Sequence, residues 1–422
     1  MRVSLFGVVL AILILLGLAI RLIYALAVAP GQVVPGDAHI YHDLARQLAH
    51  GRGYTLGIFH GAPTASHPPL YPLYLAALTK LGLTSLAAQR AGTCLAGAAA
   101  VALIGLLGRR VAGPRVGLIA AAGAAIYPQL FMVDGTLIAD ALYVPVVVLA
   151  LLLAYRFIDE PTPARAAPLG AAIGLAALTR SDGLLLFALL ALPLAWRAGR
   201  GRLRLMAVVA ASTALVLAPW LVRNWVRFDR FPLVSTNGAL TQPSTNCRAT
   251  YYGRRVGFVA HECALRSPCL RIRKEIPQSD CYLRQARRYA RRHLGRLPIV
   301  VLARIAREWN VYAPALDRSY GLIWGRQWRT ATAGMAMYAL LVPLGLYGAL
   351  LLRRRRVLLP LLATFGVAIL TAVIAFGFSR YRVAAEPALV VLGAVGAEAL
   401  FKQPRRRAAR HHRPRVEAPS RS

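Results

Sequence analysis

Lysine is almost missing from this chain. Only Lys80, Lys274 and Lys402 occur in 422 residues, and the remaining 48 of its 51 basic residues are arginine. Acidic residues are scarce as well, at 16, and charged residues make up 16% of the chain, where a soluble domain carries about 25%. A disordered chain is excluded, and an ordinary water-soluble enzyme is disfavoured. Gly/Ser linkers, low-complexity tracts and clear internal repeats are absent, so nothing marks off a separate soluble domain. Arginine in place of lysine, with abundant Ala and Gly, points to a GC-rich and hence bacterial genome.

What is present is apolar residues in long blocks. The chain is 57% hydrophobic, with a mean hydropathy of +0.52. A membrane span needs about 20 predominantly apolar residues. Blocks near 3–29, 86–108, 115–133, 138–155, 166–179, 183–196, 203–222, 331–352, 357–377 and 386–401 predict an all-α, polytopic transmembrane protein of about ten spans. The first block is too long for a signal peptide and no cleavage site follows it. Net charge is +35, which raises nucleic acid as a partner. The arginines, however, sit in short clusters between apolar blocks (Arg109, Arg110 and Arg115; Arg156 and Arg165; 197–204; 353–356; 405–407). That is the positive-inside pattern, so anionic membrane lipids are the expected partners and nucleic acid is not. With a cytoplasmic N-terminus, every cluster falls inside. The stretch 68–83 is short and carries Lys80, and reads as a juxtamembrane or re-entrant helix. The chain thus divides into a membrane module at 1–222 with a first outer loop at 30–67, and an outer-face region at 223–329. C-terminal spans at 330–401 and a disordered basic tail at 402–422 complete it.

Ionisable groups at membrane depth are costly, so the positions of the acids carry information. Asp37, Asp43, Asp134, Asp140, Asp182 and Glu386 map near the outer surface. Asp229, Glu262, Glu275, Asp280, Glu308 and Asp317 lie in the second outer loop. Only Asp159, Glu160, Glu398 and Glu417 fall inside, so the chemistry is expected to face outward. After the first block, Ile40, Leu44 and Leu48 recur at helical spacing, opposite His42, Asp43, Arg46, Gln47 and His50. This predicts an amphipathic surface helix, with Asp37 as its N-cap and Gly51 just past its end.

Five histidines crowd this loop: His39, His42, His50, His60 and His67. His39 and His42 are spaced to touch one metal, but no HxxxH or DxD pattern accompanies them, and no metal is expected. Cys94 lies within a span. Cys247, Cys263, Cys269 and Cys281 all fall in the second outer loop, where an even number in an oxidising compartment suggests two disulfides. Three connectivities are open, and the spacings are not those of a zinc site.

The segments GDAHIYHDLARQLAHGRGY and SHPPLYPLYLAAL resemble the first outer loop of GT-C glycosyltransferases of the family 39 type. That group includes protein O-mannosyltransferases and lipid A aminoarabinose transferases. ALTRSDGLLL, APWLVRNWVRFDRFPLVSTNGAL and FSRYRVAAEP follow in matching order. NCRATYYGRRVGF and YARRHLGRLPIVVLARIAREWNVYAP resemble an actinobacterial-type branch.

The resemblance implies a sugar transferase that uses a polyprenyl-phosphate donor on the outer face of the membrane. It implies inversion at the anomeric carbon and no cofactor. An acid just after the first span is the base in such enzymes, and Asp37 matches it. Many relatives carry a second acid next, where this chain has Ala38. Some carry Lys before the Pro-Pro pair, where this chain has His67. A leaving phosphate needs cations, and Arg180, Arg223, Arg380 and Arg382 all lie at outer ends of spans. Arg suits bidentate phosphate contacts, though snorkelling to the interface would place arginines there too. Tyr381 sits between the last two. His67 is expected at the phosphate or packed before Pro68. Asp140 is expected to orient an arginine or the acceptor, or simply to favour its helix N-terminus. The acceptor would be a glycan, glycolipid or protein hydroxyl. Two other readings use the same features: a polyprenyl-linked lipid transporter or flippase, and a non-catalytic envelope-assembly protein. No inverted repeat or matched pair of broken helices supports the transporter.

Overall fold

The computed structural model describes residues 4–29, 36–57, 61–199, 201–228, 234–355 and 357–411. His60, Asp229 and Glu417 lie outside the described residues. The chain is all-α apart from a two-residue antiparallel pairing of Thr55–Leu56 with Ala62–Pro63.

Each expected apolar block is helical, but the blocks are not equal. Five helices are long and apolar enough to cross a membrane: Leu5–Val28, Leu86–Ala112, Asp140–Asp159, Arg202–Phe228 and Trp328–Leu352. A sixth results if Pro114–Ile126 and Pro128–Gly135 count as one broken span, bent by 48°. Among the described residues, ten helices of that length are not found. The physical reason is proline and turn chemistry within the blocks. Tyr127 precedes Pro128 and adopts an extended backbone, as a residue before proline prefers, which bends the pair. The block near 183–196 is split into a 3-10 turn, a wide π-type turn at Phe187–Ala191 and the short helix Leu192–Arg197. The last helix continues to His411, into the tail expected to be disordered. Residues 412–422 lie outside the described residues.

Outward-facing Leu15, Leu215, Leu340 and Leu346 are exposed, as lipid-facing side chains would be. Inside, small residues bring helices together. A Cβ added at Gly348 would sit 2.0 Å from the Leu392 carbonyl, and one at Gly396 2.2 Å from that of Leu344. Trp328–Leu352 and Glu386–His411 therefore pack backbone to backbone, a small-residue interface of the kind membranes favour. Asp134 is buried against the first span, where Arg21 Nε donates to its Oδ2 at 2.7 Å.

Leu70–Lys80 has 11 residues, about 16 Å at 1.5 Å per residue, and is too short to cross a ~30 Å core. Tyr71 and Leu75 are fully buried, and the Tyr71 ring meets Tyr41 edge-on at 5.0 Å. This helix therefore serves as the platform for the first outer helix, Asp37–Ala49.

Candidate active site

Asp37 is the first residue of its helix. The N-cap is Gly36, and no side chain caps the end, which corrects the expectation that Asp37 would cap. His50 ends the helix and Gly51 follows with φ +73°, the left-handed position anticipated for it. Freed from capping, the Asp37 carboxylate points into a cavity of about 650 Å³ that is also lined by His67, Arg180, Asp182, Arg380 and Tyr381.

A chain of ion pairs crosses this cavity. His67 Nε2 lies 3.4 Å from Asp37 Oδ1. Arg380 Nη1 donates to Asp37 Oδ2 at 3.1 Å, and its Nε donates to Asp140 Oδ2 at 2.7 Å. Arg180 Nη1 reaches the other Asp140 oxygen at 2.7 Å and grips Asp182 with Nε and Nη2, both at 3.0 Å. Asp140 is completely buried and begins the Asp140–Asp159 helix, so it orients both arginines. Trp324 stacks on the Arg380 guanidinium at 4.7 Å, and Tyr381 on that of Arg180 at 5.6 Å. Burial alone would raise the Asp37 pKa. The His67 contact and the Arg380 charge outweigh it and hold the carboxyl well below the usual carboxylate range. Burial works against the Arg380 charge, but Asp140 and Asp37 more than compensate and raise its pKa further.

Arg380 and Arg382 share the 3-10 turn Ser379–Ala384. Asp317 anchors that turn by accepting from the Ser379 N–H and hydroxyl, both at 2.8 Å. At three residues per turn, positions two apart diverge by about 120°. Arg380 enters the cavity and Arg382 points into the protein. Arg382 Nε donates to Glu386 Oε1 at 2.6 Å, Nη1 donates to the Glu308 carbonyl at 2.7 Å, and its guanidinium covers the Tyr338 ring. Arg382, expected at the phosphate, is thus held by these contacts away from the cavity lining.

Arg223 is likewise engaged by the protein. Its Nη1 and Nη2 donate to the carbonyls of Thr64 and Tyr54 at 2.7 and 2.8 Å. Trp220 and Phe228 lie under the guanidinium. It fastens the first outer loop to the Arg202–Phe228 helix, outside the cavity.

Sequence reasoning missed several cavity residues. Tyr41, His261, Tyr320, Trp324, Asn237 and Gln242 line it, and His261 Nε2 is hydrogen-bonded to the Tyr320 hydroxyl. Most come from residues 223–329, where no spacing announces them. Asp182 carried a signal, standing two residues after Arg180. Among the described residues no three His, Cys, Asp or Glu side chains form a metal-binding group, and His42 Nδ1 meets Gln89 Oε1 at 2.9 Å.

Residues 66–223 match the family described as dolichyl-phosphate-mannose-protein mannosyltransferase. The matched segment contains His67, Asp140, Arg180 and Asp182, while Asp37, Arg380 and Tyr381 come from outside it. No curated protein matches the chain.

Among solved structures, the chain is 17% identical to the apo oligosaccharyltransferase of Archaeoglobus fulgidus, covering 99% of this chain and 53% of that one (TM-score 0.55). It is also 17% identical to the AglB oligosaccharyltransferase of the same organism in complex with an inhibitory peptide and a dolichol-phosphate. That match covers 98% of this chain and 52% of that one (TM-score 0.52). These two share the fold of this chain, which spans about half their length. ArnT from Cupriavidus metallidurans bound to undecaprenyl phosphate is 16% identical, covering 98% of this chain and 82% of that one (TM-score 0.47). The chain is a multi-pass integral membrane protein.

Proposed function

We propose that the protein is a membrane glycosyltransferase moving a sugar from a polyprenyl-phosphate donor to an acceptor hydroxyl. The observation that carries this reading is the Asp37 carboxylate held by Arg380 inside a cavity that also has an apolar wall. Leu185, Leu240 and Ile374 line that wall, and Leu240 and Ile374 are exposed. A polyprenyl tail would leave the cavity there. Arg180 and Arg380 would take the phosphate, with His67 beside them. Asp37, Asp140 and Asp182 outnumber Arg180 and Arg380 by one charge. A bound phosphate would therefore compete with Asp37 for Arg380, leaving Asp37 to orient the acceptor. In the reaction the acceptor oxygen forms a bond to the anomeric carbon as the carbon–oxygen bond to phosphate breaks. Polyprenyl phosphate leaves with that electron pair, and the hydroxyl proton passes to Asp37. Attack opposite the leaving group inverts the centre.

The same proposal includes ten membrane crossings. The shorter helices Pro163–Thr179 and Leu358–Ile374, the broken segment at 181–197 and the apolar part of Glu386–His411 would complete the set. It places both termini in the cytoplasm of a bacterial plasma membrane with the cavity facing out, and keeps 223–329 as an outer-face region. Purified protein in vesicles with a polyprenyl-phosphate hexose tests it. Release of polyprenyl phosphate, with sugar transferred or hydrolysed in inverted configuration, is expected. Movement of intact donor across the bilayer without cleavage would replace the reading with a flippase.

A further inference from the structure

The Leu297–Glu308 helix is packed the wrong way round for water. Its buried residues are Val300, Arg304, Arg307 and Glu308. Its outward residues are apolar: Leu302 is 66% exposed and Ile299 48%, flanked by Leu294 at 61% and Val311 at 79%. Bonds to backbone carbonyls fix this orientation. Arg304 Nη1 donates to Val373 at 2.7 Å and Nη2 to Thr245 at 2.9 Å. Arg307 Nε and Nη2 donate to Val256 and Arg254, both at 2.7 Å. Rolling the helix to hide Leu302 would strip buried guanidiniums of their acceptors. The bond to Val373 also ties the helix to the end of Leu358–Ile374, which exposes Leu362 and Leu370. The apolar face of Leu297–Glu308 thus sits beside the end of a helix with exposed apolar side chains of its own.

The preceding helix, Glu275–Arg292, buries Tyr282 and Ala286 and exposes Arg284, Arg287, Arg288, Arg291 and Arg292. At helical spacing, 284, 288, 291 and 292 form one stripe, which ends two residues before Leu294. The acid that begins this helix is engaged elsewhere, since Glu275 accepts from the Ala65 N–H at 2.9 Å and the Thr236 hydroxyl at 2.5 Å.

We infer that Leu297–Glu308 lies in the outer leaflet and that the adjoining arginine stripe engages anionic phospholipid headgroups. An apolar face bordered by a basic band is what an interfacial helix presents to a bilayer, and anionic headgroups attract such arginines. A soluble acidic glycan would satisfy the arginines but leaves Ile299 and Leu302 without a partner. The attachment reaches the cavity, because the Glu308 carbonyl accepts from Arg382 on the same turn as Arg380. Bilayer contact would thereby fix that turn at the height of lipid phosphates.

The test uses the full chain in vesicles and reads depth, so it stands apart from transfer activity. A polarity-sensitive fluorophore is placed at Leu302→Cys and, as an exposed reference, at Arg271→Cys. Side chain 302 faces away from the protein, so the substitution should leave folding intact, and unchanged thermal unfolding checks this. Nitroxide lipids labelled near the headgroup are expected to quench position 302 several-fold more strongly than 271, and aqueous iodide to do the reverse. Adding phosphatidylglycerol to phosphatidylcholine should deepen position 302. Replacing Arg284, Arg287, Arg288, Arg291 and Arg292 with Gln should abolish that lipid dependence while 302 stays shielded from iodide. Equal iodide quenching at both positions would overturn the embedding. Indifference of the native sequence to phosphatidylglycerol would overturn headgroup recognition. A response to soluble polygalacturonate in place of anionic vesicles would assign the stripe to an acidic glycan.

Discussion

Arg380 donates to Asp37 at 3.1 Å across 343 residues of sequence. The same guanidinium is held from its other edge by Asp140, so the position of the proposed base is set by a residue on the Asp140–Asp159 helix. Asp37 itself sits on a surface helix that could otherwise shift with its loop.

Asp37→Asn retains size and the contact distance to Arg380, so expression and thermal stability should stay near normal. Turnover should fall by about 10²- to 10⁴-fold, the usual loss on removing a general base. Transfer assays with a polyprenyl-phosphate sugar check this. Near-normal turnover would move the search to Asp182.

Arg380→Gln should shift the acid limb of the pH–rate profile upward. Burial raises the Asp37 pKa, and Arg380 is among the groups that hold it down. Loss of a neighbouring guanidinium typically raises a carboxyl by about 1–3 units. In the native protein the stabilising contribution of Asp37 is present above about pH 4, its ordinary range, and is lost only as pH falls through the lowered folded value. Activity of the native enzyme should therefore be flat on the acid side down to that range, and the variant's should not.

Arg382→Ala should destabilise the fold and leave donor affinity unchanged in protein that survives purification. It leaves Glu386 buried without its ion-pair partner, a loss of about 3–5 kcal/mol. Arg382→Met with Glu386→Leu removes both charges and should recover much of that. Thermal unfolding in detergent, alongside donor binding, separates the effects.

The outer loop carries disulfides Cys247–Cys263 and Cys269–Cys281, the sequential choice among the three connectivities. Non-reducing peptide mapping should recover these two pairs. Loops of this size gain roughly 2–4 kcal/mol from closure, so Cys269→Ser with Cys281→Ser should lower the unfolding temperature without changing the other pair.

Cysteine accessibility should place positions 109 and 353 inside and 55 and 235 outside. Labelling of position 109 from outside would remove the ten-crossing proposal and make 68–83 a span.

The apolar blocks, the surface helix, the buried short helix at 70–80 and the outer cysteines were legible because each rests on local pattern. Hydrophobic period, glycine position and charge clusters act over a few residues. Crossing number was less legible, since Pro128 and the turns near 183–191 break blocks whose composition looks continuous. Arg380 and Arg382 look equivalent in the string SRYR. Their fates separate only because a 3-10 turn points them apart, one toward Asp37 and Asp140 and one toward Glu386.

The sequence by itself determined a membrane-type helical protein with Asp37 just past the first apolar block. Hydropathy and charge distribution suffice for that, because burial in lipid acts on each segment separately. Only the tertiary structure decided which charges share a cavity. Asp37, Asp140, Arg180 and Arg380 come from four separate segments, and a buried charge is stable only beside an opposite one. That partnership is set by how the helices pack, and no spacing along the chain records it.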